Sequence, residues 1–182
     1  MIAGFDMESN QLAADDTIYD NGYGICLIPK TQITTATWNA TNTLVGAYKS
    51  STMHNTNLPG IVTKLQGVLG SHLIQRNVLL SSSIDGGYHS NAYTWTTAYA
   101  TLMSTGQMTG TFTKNRNKYD DGEANYKLPV FNFTEFKTGS YFWLRGIWGN
   151  ISSYSAWCVY DNGGIDEKTV YSARLASARL SI

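Results

Sequence analysis

The side chains best equipped for chemistry in this 182-residue chain are three histidines, His54, His72 and His89, two cysteines, Cys26 and Cys158, and an acidic run at Asp120, Asp121 and Glu123. Their spacing assembles no catalytic centre. There is no HExxH pair and no Cys/His ligand spacing, and the nucleophile elbow G-x-S-x-G, the P-loop and G-x-G-x-x-G are all missing. A glycan hydrolase would need two carboxylates set apart as acid and nucleophile. Asp120 or Asp121 with Glu135 or Asp166 could be such a pair, but nothing in the sequence selects it. Asp120, Asp121 and Glu123 could hold calcium through clustered oxygens, yet with Gly122 between them they read better as a solvated turn. The run from Asp161 to Glu167 begins like an EF-hand loop, but its twelfth position is Ser172, without a carboxylate, so it reads as a hairpin turn. Cys26 and Cys158, 132 positions apart, read as two buried thiols. The expectation is a protein that is not an enzyme and takes no cofactor or metal.

Charged residues make up 14% of the chain and the formal net charge is zero, so a phosphate backbone finds no basic surface and nucleic acid is not an expected partner. No apolar run approaches the roughly 18 residues that span a bilayer, and the N-terminal residues have no basic and apolar leader pattern. A membrane is therefore not expected either. The remaining polarity comes from Thr, Ser, Asn, Gly and 12 Tyr, a mixture of strand and turn formers that binding loops also favour. Asn39, Asn132 and Asn150 head N-glycosylation tripeptides, which a chain this rich in Asn and Thr produces by chance.

Certain elements must carry these residues. Residues 1–24 read as a polar arm or linker, and 25–182 as one domain that can bury roughly 70% of its unfolded surface. Ile25–Ile28, stopped by Pro29, predicts a docking strand. Leu58, Ile61, Val62, Leu65, Val68 and Leu69 recur at helical spacing, predicting a helix between Ser51 and Leu69. Asn55 or Asn57 is its expected cap, with Pro59 in its first turn and Gly70 at its end. Val78–Leu80 predicts a buried strand, Asp85–Asn91 a surface loop, and Tyr93–Met103 a strand. Thr113–Tyr126 predicts a long loop. Tyr141–Arg145 predicts a short aromatic strand, and Gly146–Tyr154 a turn-prone segment. Asp161-Asn162-Gly163 predicts a hairpin turn, because Asn-Gly supplies the positive φ that primed turns require. A strand closes the chain.

Within this frame Trp143, Leu144, Arg145, Trp157 and Val159 read as framework. Arg145, at the edge of the core, is expected to pair with a carboxylate or carbonyl. Trp148, flanked by Ile147 and Gly149 in a polar loop, is the tryptophan expected to be exposed for contact.

Several short segments in order resemble a family of phage particle proteins with C-type-lectin-like, or formylglycine-generating-enzyme-like, folds. They are Gly46-Ala47-Tyr48-Lys49, the helix from Met53 through Leu58-Pro59, Gly70-Ser71-His72-Leu73, Leu79-Leu80-Ser81, Leu102-Met103-Ser104, Tyr119-Asp120-Asp121-Gly122, Leu128-Pro129-Val130-Phe131 and Trp143-Leu144-Arg145. Together they cover roughly residues 45–182. Relatives of this kind finish on a Gly-Val-Arg-Pro-like stretch; here Ala173-Arg174-Leu175 and Ala178-Arg179-Leu180 stand nearest, without the Gly or Pro.

The resemblance implies an α+β fold: a mixed, mostly antiparallel sheet, one or two helices and long irregular loops. It implies a tail-fibre, receptor-binding or head-fibre protein of the virion, assembled in the host bacterial cytoplasm and in many cases a homotrimer docked on other virion proteins. Some such proteins are diversified by retroelements near the C-terminus. Carried over by position, the candidate ligand-binding residues are Trp148, Asn150, Ser152, Ser153, Tyr154, Tyr160, Asp161, Asn162, Asp166, Lys168 and Tyr171. Their expected ligand is a protein or glycan of the host cell surface. The alternative is a capsid-decoration or fibre-attachment protein that binds no host receptor.

Overall fold

The computed structural model describes residues 2–5, 10–12, 18–20, 24–29, 34–85, 89–109, 142–150, 153–160, 164–170, 173–176 and 178–181. In chain order they form β1 (Ile2–Phe5), β2 (Asn10–Leu12), β3 (Ile18–Asp20), β4 (Ile25–Leu27), β5 (Thr34–Thr37), a π-helical turn (Met53–Asn57), α1 (Leu58–Leu69), β6 (Arg76–Asp85), β7 (His89–Ala98), β8 (Ala100–Leu102), α2 (Thr105–Thr109), β9 (Phe142–Asn150), β10 (Ser153–Val159), β11 (Ile165–Thr169), β12 (Ala173–Ala176) and β13 (Ala178–Ser181). The architecture is mixed α+β with mostly antiparallel sheets and one main helix.

Two sheets carry most of the strands. One has the order β1-β4-β13-β8 and the other β11-β10-β9-β12-β5, while β2–β3 and β6–β7 form separate hairpins. Among the described residues the one parallel contact is between β12 and β9, at Leu175 opposite Phe142. The last eight described residues, in β12 and β13, contribute to both large sheets. Ala173-Arg174-Leu175 lies between β9 and β5, and Ala178-Arg179-Leu180 between β4 and β8. Thus the two tripeptides nearest the expected C-terminal motif are central strands of different sheets. At the other end of the chain, β1, from the segment read as an arm, pairs with β4.

One hydrophobic cluster lies between the helix and the large sheets. It includes Trp38, Leu44, Tyr48, Met53 and Leu58 from the helical side, Leu80 and Leu102 from the middle strands, and Trp143, Ile147, Ala156 and Cys158 from β9 and β10. Cys26 and Cys158 are buried thiols without a disulfide, as their spacing suggested.

The helix begins earlier than its cap residues suggested. Ser51 is extended, at φ −67° and ψ 151°, and its Oγ accepts the His54 backbone N–H at 3.1 Å, so Ser51 is the cap. Asn55 instead donates its amide back to the Lys49 and Ser51 carbonyls, and Asn57 donates to the Thr37 carbonyl of β5. Pro59 then falls inside a continuous helical run. Its ring has no N–H and crowds the preceding turn, and the chain accommodates it by widening that turn into the π form, with Leu58 N–H bonded to Met53 C=O. Gly70 ends α1 at positive φ, as expected.

The apolar stripe of α1 is used for only part of its length. Leu58, Ile61 and Val62 are buried and Leu65 and Leu69 half-buried, whereas Val68 is 82% exposed because the last turn of the helix runs past the core.

The strands are longer than the sequence pattern suggested. Val78–Leu80 are buried, as expected, but β6 continues to Asp85 and β7 starts at His89, so most of the expected 85–91 loop is ladder. The strand expected over Tyr93–Met103 is present as the end of β7 and all of β8, broken at Tyr99. β9 extends to Asn150 and converts the expected turn-prone 146–150 segment into strand. The predicted loop 113–126, and with it Asp120, Asp121 and Glu123, lies outside the described residues, as do Leu128–Phe131 and Glu135.

Candidate functional site

A buried node of hydrogen bonds fixes the start of β9. Trp143 Nε1 donates to the Ala36 carbonyl of β5 at 3.1 Å, tying β9 across β12 to the far strand of the sheet. One residue later the ladder with β10 breaks: Trp143 pairs with Cys158 and Ile147 with Ala156, so Leu144, Arg145 and Gly146 together face Trp157. This is a β-bulge, which frees backbone groups and re-aims the bulged residues. Both freed groups shown are taken up from outside the ladder. The Trp38 indole donates to Leu144 C=O at 3.1 Å, and Arg145 N–H donates to Met103 C=O at 3.0 Å.

The bulge delivers Arg145 into the interior, where it is 1% exposed, rather than to the core edge where the sequence placed it. Tyr48 extends the node. Its hydroxyl accepts Leu102 N–H at 2.9 Å, its own N–H bonds Ser81 Oγ, and its ring packs between Trp38 and His54 with centroids at 5.8 and 5.3 Å.

From this node β9 runs outward to the candidate ligand-binding positions. Trp148 pairs with Ser155, Gly149 with Tyr154, and Asn150 with Ser153. Trp148 is thus a strand residue, opposite the buried Ser155, and not the loop residue the sequence suggested, because the β9–β10 ladder continues from Ile147 through Gly149 to Asn150. On the other side of β10, Lys168 pairs with Ala156 and Asp166 with Cys158. β10 and β11 pair on either side of the expected Asn-Gly turn: Val159 pairs with Ile165, and Tyr160 N–H bonds Gly164 C=O at 2.8 Å, while the turn residues 161–163 lie outside the described residues.

The register divides the candidates into two groups. β10 is seven residues long, about 20 Å, with the 151–152 connection at one end and the 160–164 hairpin at the other. Trp148, Asn150, Ser153 and Tyr154 therefore share the 151–152 end, with Lys168 next along, opposite Ala156 at the middle of β10. Tyr160, half-buried against the core, and Asp166 belong to the opposite end. Ser152, Asp161, Asn162 and Tyr171 lie outside the described residues. Asn39, the first of the glycosylation tripeptides, is not presented to solvent. Its amide bonds Thr43 C=O and its Oδ1 accepts Thr52 N–H, stitching the loop that leads into the helix.

Sequence spacing did not suggest a second concavity. The π turn and α1 face the end of β7 and the start of β8 across a cavity of about 460 Å³, within the roughly 300–1,000 Å³ typical of small-ligand sites. His54 stands at its inner end. Burial first, then the positive charges of Arg145 and Lys49, lower its pKa from 6.5 to about 4, so the imidazole is neutral at physiological pH. Its Nδ1 is sealed from solvent without a hydrogen-bond partner. The sequence placed His54 correctly at a helix start, but the signal that it lines a cavity is the meeting of residues 54–66 with residues 96–100, which no local pattern carries.

Among the described residues no group of three His, Cys, Asp or Glu side chains could hold a metal ion, and no helix is long and apolar enough to cross a membrane. No family model matches the chain, and no curated protein or solved structure matches it.

Proposed function

We propose that this chain is a non-enzymatic binding domain of a bacteriophage particle, with a C-type-lectin-like framework, that attaches to a protein or glycan of the host surface through the outer end of the β9–β10 hairpin. One observation carries the reading. Four of the segments that resemble phage proteins of this kind, around Tyr48, Ser81, Leu102-Met103 and Trp143–Arg145, are far apart in sequence yet meet in one hydrogen-bonded node. β9 leaves that node rigidly held and ends in Trp148, Gly149 and Asn150, paired with Ser155, Tyr154 and Ser153.

A fixed root with aromatic and small polar residues at its far end is the economy of a binding surface. Tyr and Trp give contact area at low entropic cost, and Ser, Asn and Gly adapt. Lys168, paired with Ala156, lies beside that end, and the 160–164 hairpin is then a separate surface. The family resemblance adds a homotrimer docked on other virion proteins.

Replacing Trp148 and Tyr154 together by alanine tests the proposal. Particles carrying the double variant should adsorb at least about 30-fold more weakly, the loss of one interface hot spot, while the domain melts at its original temperature. Asn150→Ala with Tyr154→Ala, which keeps the indole and changes β9 only at its last residue, is a milder companion. Adsorption unchanged in both folded variants overturns the proposal.

A further inference from the structure

We propose that the groove between α1 and the β7–β8 segment is a second binding site, separate from the hairpin end, for a neutral, hydroxyl-rich ligand of the saccharide class. Its lining holds no Asp, Glu, Lys or Arg, and its one imidazole is uncharged at neutral pH. A charged ligand would give up hydration there and meet no opposite charge in the walls. A neutral ligand with many hydroxyls loses less, and the groove returns what it loses.

Gln66, half-buried on α1, and Gln75, exposed just before β6, border the cavity from different elements. Each amide offers two donors and an acceptor oxygen, which suits neighbouring hydroxyls that both give and accept. Thr96 on β7 adds a hydroxyl. Between these polar groups lie the exposed Pro59 of α1, the half-buried Ala98 at the end of β7 and Tyr99 at the β7–β8 break. An apolar strip beside a tyrosine ring fits the C–H face of a pyranose, while the amides take its rim. With Nδ1 of His54 sealed in, Nε2 is the ring nitrogen left for an occupant.

The walls are already held in place. The π turn is capped by Ser51 and anchored to β5 through Asn57, and β8 is bonded to Tyr48 and paired with β13. Binding therefore needs little reorganisation, and affinity rests on the amides.

The site is tested by following the side-chain amide signals of Gln66 and Gln75 by NMR while the intact chain is titrated with glucose, galactose, N-acetylglucosamine, maltose and glucuronate. At least one neutral sugar should shift both signals saturably. Gln66→Leu with Gln75→Leu should weaken that sugar at least about ten-fold without lowering the melting temperature, while Trp148→Ala with Tyr154→Ala leaves it unchanged. The last variant separates the two sites, since failure of the hairpin proposal leaves the groove result intact. The inference is overturned if no neutral sugar gives a saturable shift, if the Gln variant binds as well as the parent, or if glucuronate binds more tightly than every neutral sugar.

Discussion

The neutral, partly buried imidazole of His54 makes the stability of this fold depend on pH in a calculable way. Unfolded, the ring titrates near 6.5; folded, burial and the nearby Arg145 and Lys49 charges hold its pKa at about 4. Between those values the unfolded chain binds a proton that the folded chain refuses. The stabilisation is therefore complete above pH 6.5 and is lost as pH falls toward 4. Linkage gives a loss of roughly 1.4 kcal/mol at pH 5.5 and roughly 2.5 kcal/mol at pH 4.5, relative to pH 8. Carboxylates also titrate at the acid end, so the informative quantity is a difference between proteins. Urea denaturation of the parent and of His54→Gln at pH 8, 5.5 and 4.5 should show the variant losing less stability by about those amounts, and the His54 Cε1–H signal should titrate near pH 4. Parallel pH profiles for the two proteins, or a ring midpoint near 6.5, would refute the burial argument and the placement of His54 against Arg145.

Three further outcomes follow from the packing. Trp38→Phe removes the indole that satisfies the Leu144 carbonyl at the bulge and shrinks a fully buried ring, so equilibrium unfolding should record a loss of roughly 2–4 kcal/mol. Leu58→Ala should cost about 2–5 kcal/mol, whereas Val68→Ala, on the same sequence stripe but exposed, should stay within about 0.5 kcal/mol; equal costs would show that α1 packs along its whole length. Gly46 holds φ at +77°, and an added Cβ would run into Ser50, so Gly46→Ala should cost about 2 kcal/mol or more, with Ser50→Gly recovering the steric part but not the backbone part.

Local pattern carried a good deal of this structure. The spacing of Leu58, Ile61 and Val62 placed the helix and its buried face, Gly70 its end, Val78–Leu80 a buried strand, and Asp161-Asn162-Gly163 the β10–β11 hairpin. Each depends on residues within a turn or two of one another, where backbone preference and periodic burial act directly. Signals at the edges were weaker. Asn55 and Asn57 looked like caps by type, but Ser51 captured the role because its extended backbone aims its hydroxyl at the His54 N–H, and the two asparagines found carbonyls elsewhere. Gly149 beside Trp148 looked like part of a loop, yet the ladder between β9 and β10 continued through it, since strand pairing supplies hydrogen bonds that propensity alone does not count.

By itself the sequence determined the mixed α+β class of the fold, the low charge and zero formal net charge, and the framework character of Trp143, Leu144 and Val159. Tertiary structure alone decided how those parts combine. The bulge at Leu144–Gly146 is stable because Trp38 and Met103, both far away in the chain, complete its hydrogen bonds, and it turns Arg145 inward. Strand register, counted from that bulge, separates Trp148 and Asn150 on β9 from Tyr160 at the far end of β10. The His54 groove exists because α1 lies across the end of β7. These are contacts between residues tens of positions apart, settled by which buried polar groups can find partners when the two sheets close on the helix.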